Sequence, residues 1–182
     1  MDFLEVIVTR RSIRKYKNDP IPEDKLNKVL EAARIAPSWS NMQCWRYVVV
    51  KDNSTKKALA DVLPSGNPVK KAFIQAPIII AGCADPERSG YIDSQRIGDK
   101  QWHILDLGIS MQQLVLAATN EGLGTCWVCW FSEKAVKDIL GVPANIEVVA
   151  LTPLGYPDEE PKSKRRKSIE EIVYYEQYGH SE

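Results

Sequence analysis

The stretch "WHILDLGISMQQLVLAATNEGLG", Trp102 to Gly124, constrains this chain more than any other. It runs for about twenty residues at helical length with apolar positions around most of its circumference. A helix apolar nearly all round is buried, either at the centre of a domain or in an oligomer interface. The rest of the fold must therefore be built against it.

Shorter segments supply the covering layers. "DFLEVIVT" reads as a short helix with Phe3, Leu4 and Ile7 at helical spacing. "IPEDKLNKVLEAARIAPS" reads as a helix with Leu26, Val29, Leu30 and Ala33 in one stripe. Pro22 suits its first turn, Glu23 and Asp24 suit the positive end of its dipole, and Pro37 bounds its end. "WRYVVVKD" is a strand by its β-branched and aromatic content, and "APIIIAGCA" is a strand apolar without alternation. Ser54 is positioned to cap a helix through "TKKALADVL". "TCWVCWF" reads as a strand, Ser132 caps "EKAVKDILG", Gly141 stops it, and "IEVVALTPLGY" is a further strand. Strands interleaved with helices predict an α+β or α/β domain with a central sheet. One domain is expected over residues 1–182, ending in a surface segment and an aromatic-anchored arm from about 156.

Charge narrows the function. Lys plus Arg balances Asp plus Glu at 24 each, so there is no global field for nucleic acid or an anionic membrane. Local clusters then need local reasons. "TRRSIRKYK" is either a solvated basic turn or an anion clamp, in which Arg10, Arg11 and Arg14 offer planar forks and Ser12 a hydroxyl. "KSKRRK" matches a nuclear-type address or a nucleic-acid patch only weakly. If it is extended, Lys164 and Arg166 point one way and Arg165 the other. Two basic clusters at opposite ends of a neutral chain suggest convergence on one small anion.

"APSWSNMQCW" places Asn41 and Gln43, whose amides can read the edge of a heterocycle, beside Ser38 and Ser40. The alternative is a plain polar connection. Gly122 and Gly124 end the long helix and let backbone approach something flat. Cys126 and Cys129 form a C-x-x-C. On a strand, residues three apart face opposite sides, so buried core thiols are expected rather than a disulfide or half a zinc site. The two histidines, His103 and His180, form no metal-binding spacing, and no metal is expected. No Walker pattern, G-x-S-x-G or G-x-G-x-x-G is present. The N-terminal charge order is the reverse of a secretory signal, no apolar run reaches bilayer length, and four cysteines are too few for a disulfide scaffold. A cytoplasmic location is the expectation.

Taken together, "RRSIRKY", "EAARIAPSWSNMQCWRYVVV", "ILDLGISMQQLVLAATNEGLGTCWV" and "LGYPDEEPKSKRRKSIEEIV" resemble, in order and spacing over about residues 3–173, the nitroreductase family of FMN-dependent oxidoreductases. The resemblance implies a three-layer α+β fold with a mostly antiparallel sheet around a long buried central helix. It implies that Arg10, Arg11, Ser12 and Arg14 hold the FMN phosphate and ribityl chain, with Arg14 towards the pyrimidine. It implies a flavin loop at Pro37, Ser38, Asn41 and Gln43, in which Cys44 replaces the family's proline. Backbone at Gly122, Leu123 and Gly124 would border the ring, Lys164 and Arg166 would close on the phosphate, and Asn67 and Lys71 would add flavin contacts. It further implies a homodimer with FMN sites between subunits. The activity implied is ping-pong hydride transfer from NADH or NADPH through flavin to a small-molecule acceptor such as a nitroaromatic or quinone, with no obligatory catalytic side chain. The rival readings are a dehalogenase or flavin-cleaving relative, a flavin-storage protein, and a thiol oxidoreductase using Cys126 and Cys129.

Overall fold

A computed structural model describes residues 1–93 and 95–179. The C-terminal residues from His180 onward, including that expected non-ligand histidine, lie outside the described residues. In chain order the elements are α1 (Phe3–Thr9), α2 (Glu23–Arg34), β1 (Trp45–Val50), α3 (Asn53–Asp61), α4 (Lys70–Gln75), β2 (Ile78–Ala84), β3 (Tyr91–Ile92), β4 (Gln95–Arg96), α5 (Trp102–Asn120), β5 (Gly124–Thr125), α6 (Glu133–Leu140) and β6 (Glu147–Gly155). A 3-10 turn at Trp39–Asn41 lies between α2 and β1.

Four strands form one antiparallel sheet in the order β1-β2-β6-β5, and β3 and β4 form a separate hairpin. Strand β2 explains the arrangement. Every residue from Ile78 to Ala84 is buried, and the two faces divide with period two. Ile79, Ala81 and Cys83 pack with Leu59, Phe73 and Val136 from α3, α4 and α6. Ile78 and Ile80 pack with Leu26, Val29, Leu114 and Val115 from α2 and α5, and Ala84 with Leu107 and Met111. Both faces are covered, so the strand reads as an unbroken apolar run. Three layers result: α3, α4 and α6; the sheet; and α2 with α5. The antiparallel sheet around a long helix agrees with the expectation. A Cβ on Gly82 would lie 2.5 Å from Met111 Sδ, so the bare backbone lets α5 settle onto β2.

The long helix is buried along one stripe only. Leu107, Met111, Leu114, Val115 and Ala118 face the sheet. Leu105 is 53% exposed on the opposite side, and Ile109 and Leu116 are half-buried. One chain has no layer to lay against that outer stripe. Leu114, by contrast, is fully inside the chain's own core. Helix α1 forms as expected, yet Phe3, Leu4 and Ile7 are exposed and Val6 is its buried residue. The C-terminal segment is likewise uncovered in one chain. Tyr175 and Tyr178 are exposed, and the Tyr174 and Tyr178 rings meet at a tilt of 51° with centroids 4.7 Å apart.

Other local expectations change. Asp52, not Ser54, caps α3, accepting from the Thr55 amide at 2.7 Å; its carboxylate reaches the free amides of the first turn better than a hydroxyl already inside the helix. Pro22 sits at the N-cap of α2, just outside the first turn. The "TCWVCWF" run pairs as a strand only at Gly124–Thr125, with one further bridge from Val128 to Leu151; it then leaves the sheet, exposing Cys129 and Trp130. Ser132 and Gly141 bound α6 as read, Gly141 with φ of 66°. Residues 162–168 are exposed and form no strand, so no alternation separates Lys164 and Arg166 from Arg165. Among the described residues, no helix is long and apolar enough to cross a membrane.

Candidate active site

The basic turn leaves α1 and runs along the far edge of the sheet. The Ile13 amide donates to the Thr125 carbonyl at 2.9 Å, and Ser12 forms a parallel bridge with Thr125. Ile13 and Tyr16 are buried, and the Tyr16 hydroxyl donates back to the Ile13 carbonyl at 2.7 Å. Burial holds the Tyr16 phenol far above its ordinary pKa, so it remains a donor. On the other side, the Lys17 amide donates to Tyr156 and the Asp158 amide to Lys15, each at 3.0 Å. The Glu159 carboxylate accepts from the amides of Arg14 and Lys15. Two sequence-distant segments thus fix the turn's backbone and leave its side chains to other work.

Those side chains divide. The Arg11 guanidinium donates to the carbonyls of Val8 at 2.6 Å and Arg10 at 2.9 Å, closing the C-terminus of α1. The Arg14 guanidinium reaches back towards the Ser12 carbonyl at 3.4 Å, and Cys126 is buried next to Thr125, the turn's partner. Burial pushes that thiol up, while Arg14, Ser12 and Arg10 pull it down. Among the described residues, no carboxylate forms an ion pair with Arg10, Arg14, Lys164 or Arg166.

A groove of about 440 Å³ opens beside this turn. Arg11, Ile13, Gly122, Leu123, Gly124 and the Pro157–Pro161 segment line it. The expected turn and the expected glycine backbone therefore meet. The lining suits a phosphate-bearing planar group: it offers the Arg11 guanidinium and backbone bared by Gly122 and Gly124, with Arg10, Ser12 and Arg14 adjacent in the chain. Glu159 and Glu160 also stand on this rim.

The other expected residues lie elsewhere on the chain. Pro37 and Ser38 line a separate groove of about 270 Å³ with Trp39, Trp102, Leu105 and Ile109. Asn41 and Gln43 are exposed on the 3-10 turn, where the Gln43 amide group donates to Asn41 Oδ1 at 3.1 Å. Ser38 Oγ accepts from the Gln43 backbone amide at 2.9 Å. Cys44, at the position of the family's proline, is buried. Asn67 is buried, its side chain donating to the Trp130 carbonyl and accepting from the Val69 amide at 3.1 Å each, while Lys71 is exposed. Lys164 and Arg166 are exposed and do not line the groove.

Sequence reading missed three participants. Glu159 gives no local signal, because its partners are about 145 positions away. Burial divides the C-x-x-C pair: Cys126 is buried next to Thr125, which bridges to the basic turn, while Cys129 is exposed. Asp106 had a signal: it is the single acid within α5. It is 2% exposed, and its carboxyl accepts from the Trp39 amide at 3.0 Å and from Ser89 Oγ at 2.6 Å. His103 is buried against Glu147 at 2.9 Å. Among the described residues, no group of three or more His, Cys, Asp or Glu side chains is placed to hold a metal ion.

A sheet layered between helices, with a cationic turn seated on bare glycine backbone, offers a cradle suited to a phosphorylated planar ligand. The chain belongs to the nitroreductase family, whose sequence profile covers residues 7–156. An NADH dehydrogenase of Thermus thermophilus is 32% identical, with 96% of each chain covered. A solved nitroreductase family protein of Clostridium novyi NT is 37% identical, covering 100% of this chain and 97% of its own, with a TM-score of 0.81. The NADPH:FMN oxidoreductase of Vibrio harveyi, solved with NAD+, is 29% identical over 98% of this chain and 79% of its own, with a TM-score of 0.83.

Proposed function

We propose that this chain is an FMN-dependent NAD(P)H oxidoreductase that works as a homodimer, with each flavin held between two subunits. The observation that carries the reading is the junction of Ile13 with Thr125, which seats the basic turn on the groove lined by Arg11, Gly122, Leu123 and Gly124. FMN, when bound, would supply the redox chemistry: hydride acceptance from NADH or NADPH and two-electron reduction of a nitroaromatic or quinone in a second half-reaction. The chain's own residues bind and orient. Arg10 and Ser12 hold the phosphate and ribityl end, joined by Lys164 and Arg166. Arg14 offers its positive charge to the pyrimidine. Asn41 and Gln43 read the heterocycle edge, and the Gly122–Gly124 backbone lies along the ring. Asn67 and Lys71 stand at the remaining margin.

Two features support assembly from two copies. The flavin loop and the basic turn line different grooves of one chain. The outer stripe of α5, the apolar side of α1 and the C-terminal tyrosines are uncovered in one chain. A second copy would cover these surfaces and bring the two half-sites together. The cytoplasm, where NADH and NADPH are available, suits this chemistry.

The test is a titration of apoprotein with FMN and with riboflavin, which has the same ring and no phosphate. A hydrogen bond to a charged group contributes about 1.5–3 kcal/mol, so Arg10→Ala and Lys164→Ala should each weaken FMN roughly ten- to a hundred-fold. Riboflavin affinity should barely change. Lys134→Ala is the control, because its ammonium pairs with Asp138 on the exposed face of α6; it should leave the FMN-to-riboflavin ratio unchanged. Equal losses for both flavins at Arg10 and Lys164 would return the basic turn to a solvated surface.

A further inference from the structure

The α2–β1 connection carries three non-glycine residues in left-handed backbone: Ser40 with φ of 44°, Asn41 with 56° and Gln43 with 49°. L side chains adopt this region reluctantly, so it persists only where the surroundings hold it. Inside the loop, Ser38 and Asn41 hold Gln43. From outside, the holding groups come from α5. Asp106 Oδ1 accepts the Trp39 amide at 3.0 Å, at the start of the 3-10 turn. Asp106 Oδ2 accepts Ser89 Oγ at 2.6 Å and lies 3.9 Å from Cys44 Sγ, at the loop's far end. One helical turn on, Ser110 Oγ donates to the Ala33 carbonyl at 2.6 Å, at the end of α2, and lies 2.7 Å from the Tyr47 hydroxyl in β1.

Asp106 and Ser110 are both buried, four residues apart on the inner stripe of α5. A buried carboxyl in such a place is unfavourable unless each oxygen is matched, and here both are. Asp106 and Ser110 thus both grip the connection that carries Asn41 and Gln43 or its flanks, whereas His103, buried on the same helix, pairs with Glu147. We propose that Asp106 is a positioning residue for flavin recognition: it sets the loop so that Asn41 and Gln43 face the heterocycle. Cys44 belongs to the same device. Burial first, and then the Asp106 carboxyl, push its thiol up to about 12, so it stays a protonated donor towards Asp106. This rests on the reading that Asn41 and Gln43 contact the flavin ring.

The experiment uses the purified holoprotein and its apoprotein in wild type, Asp106→Ala, Asp106→Asn and Ser89→Ala, with Asn41→Ala and Gln43→Ala alongside. Dissociation constants for FMN and riboflavin and the reduction potential of bound FMN are read. Asp106→Ala should weaken both flavins by the same factor, about ten-fold, and shift the potential, because the disturbed contacts are to the ring. Asp106→Asn should recover most of the affinity, since its carbonyl can accept from Trp39 and its amino group can donate to Ser89 Oγ. Ser89→Ala, which frees the carboxyl without leaving a backbone amide unmatched, should show the same pattern more weakly, and it serves if Asp106→Ala fails to fold. Asp106 and Ser89 variants that melt earlier but keep both affinities and the potential would overturn the proposal, as would loss of FMN alone. A wild type that binds no FMN, or Asn41 and Gln43 variants that bind it normally, would instead remove the parent reading.

Discussion

Gly124 and Ile13 approach so closely that no side chain could stand between them. A Cβ on Gly124 would lie 2.7 Å from Ile13 Cγ1 and 2.9 Å from Ile13 Cβ. Ile13 is buried and carries the hydrogen bond to Thr125, so it cannot step back. The glycine at 124 is therefore required by the basic turn that crosses it, over a separation of 111 residues.

Gly124→Ala should destabilise the chain by about 1–3 kcal/mol, the usual cost of overpacking a well-filled site. It should also weaken FMN, because the turn carrying Arg10 and Arg14 must shift. Gly122 offers the contrast. A Cβ there meets nothing within 4 Å, but its φ of +75° is a left-handed one. Gly122→Ala should cost about 1 kcal/mol of stability, without the clash with Ile13. Urea unfolding of both variants checks this; a Gly124→Ala loss no larger than that of Gly122→Ala would show that the Ile13 contact is not what matters.

The two sides of α5 should respond differently to charge. Leu105 is 53% exposed in one chain, whereas Leu114 is fully buried in the chain's own core. Leu105→Lys should give a folded protein with reduced dimer and reduced flavin content. Leu114→Lys should unfold the chain or cost several kcal/mol, since it places an unpaired charge in the core. Sedimentation with absorbance at the flavin band reads both, and a flavin-loaded wild-type monomer would defeat the shared-site reading.

The thiols should behave as bystanders with one accessible member. Cys129 is exposed, while Cys44, Cys83 and Cys126 are buried. Burial first, then Asp106, pushes Cys44 up to about 12, and burial pushes Cys83 up to about 11. Alkylation of native protein at pH 8 should mark Cys129 alone, by mass spectrometry. Cys126→Ser with Cys129→Ser should keep NAD(P)H oxidation; its loss would restore the thiol mechanism. Folded-state values raised above the unfolded value of about 9 favour folding at lower pH. Their contribution is full below pH 9 and is lost as pH rises through 11 and 12. Wild type should lose stability across that alkaline window, and Cys44→Ala should lose less of it, as chemical denaturation at stepped pH will measure.

What was legible in the sequence was whatever a short window specifies. The inner stripe of α5, the two-faced burial of β2, the α2 stripe, and the caps at Ser132 and Gly141 follow from local periodicity and local hydrogen bonding. The family pattern was legible too, because its blocks are short and ordered. The choice of Asp52 over Ser54 as cap, and the early end of the "TCWVCWF" strand, were less so. Both turn on where a neighbouring segment stops, which a window does not contain.

The sequence by itself determined the layers, the long central helix and the residue types offered to a phosphorylated ligand. Only the tertiary structure decided which partners those residues meet inside the chain. It turned the Arg11 guanidinium onto the end of α1 and the Asn67 amide onto Trp130 and Val69, and set Ser12 against Thr125. It turned Leu114 inward and Leu105 outward on one helix. It also brought Asp106 to Trp39 and Glu159 to Arg14, 67 and 145 positions apart. The physical reason is range. Helix and strand patterns arise from steric and hydrophobic periodicities a few residues long. Hydrogen bonds and close packing between distant segments depend on where the whole chain has put each partner.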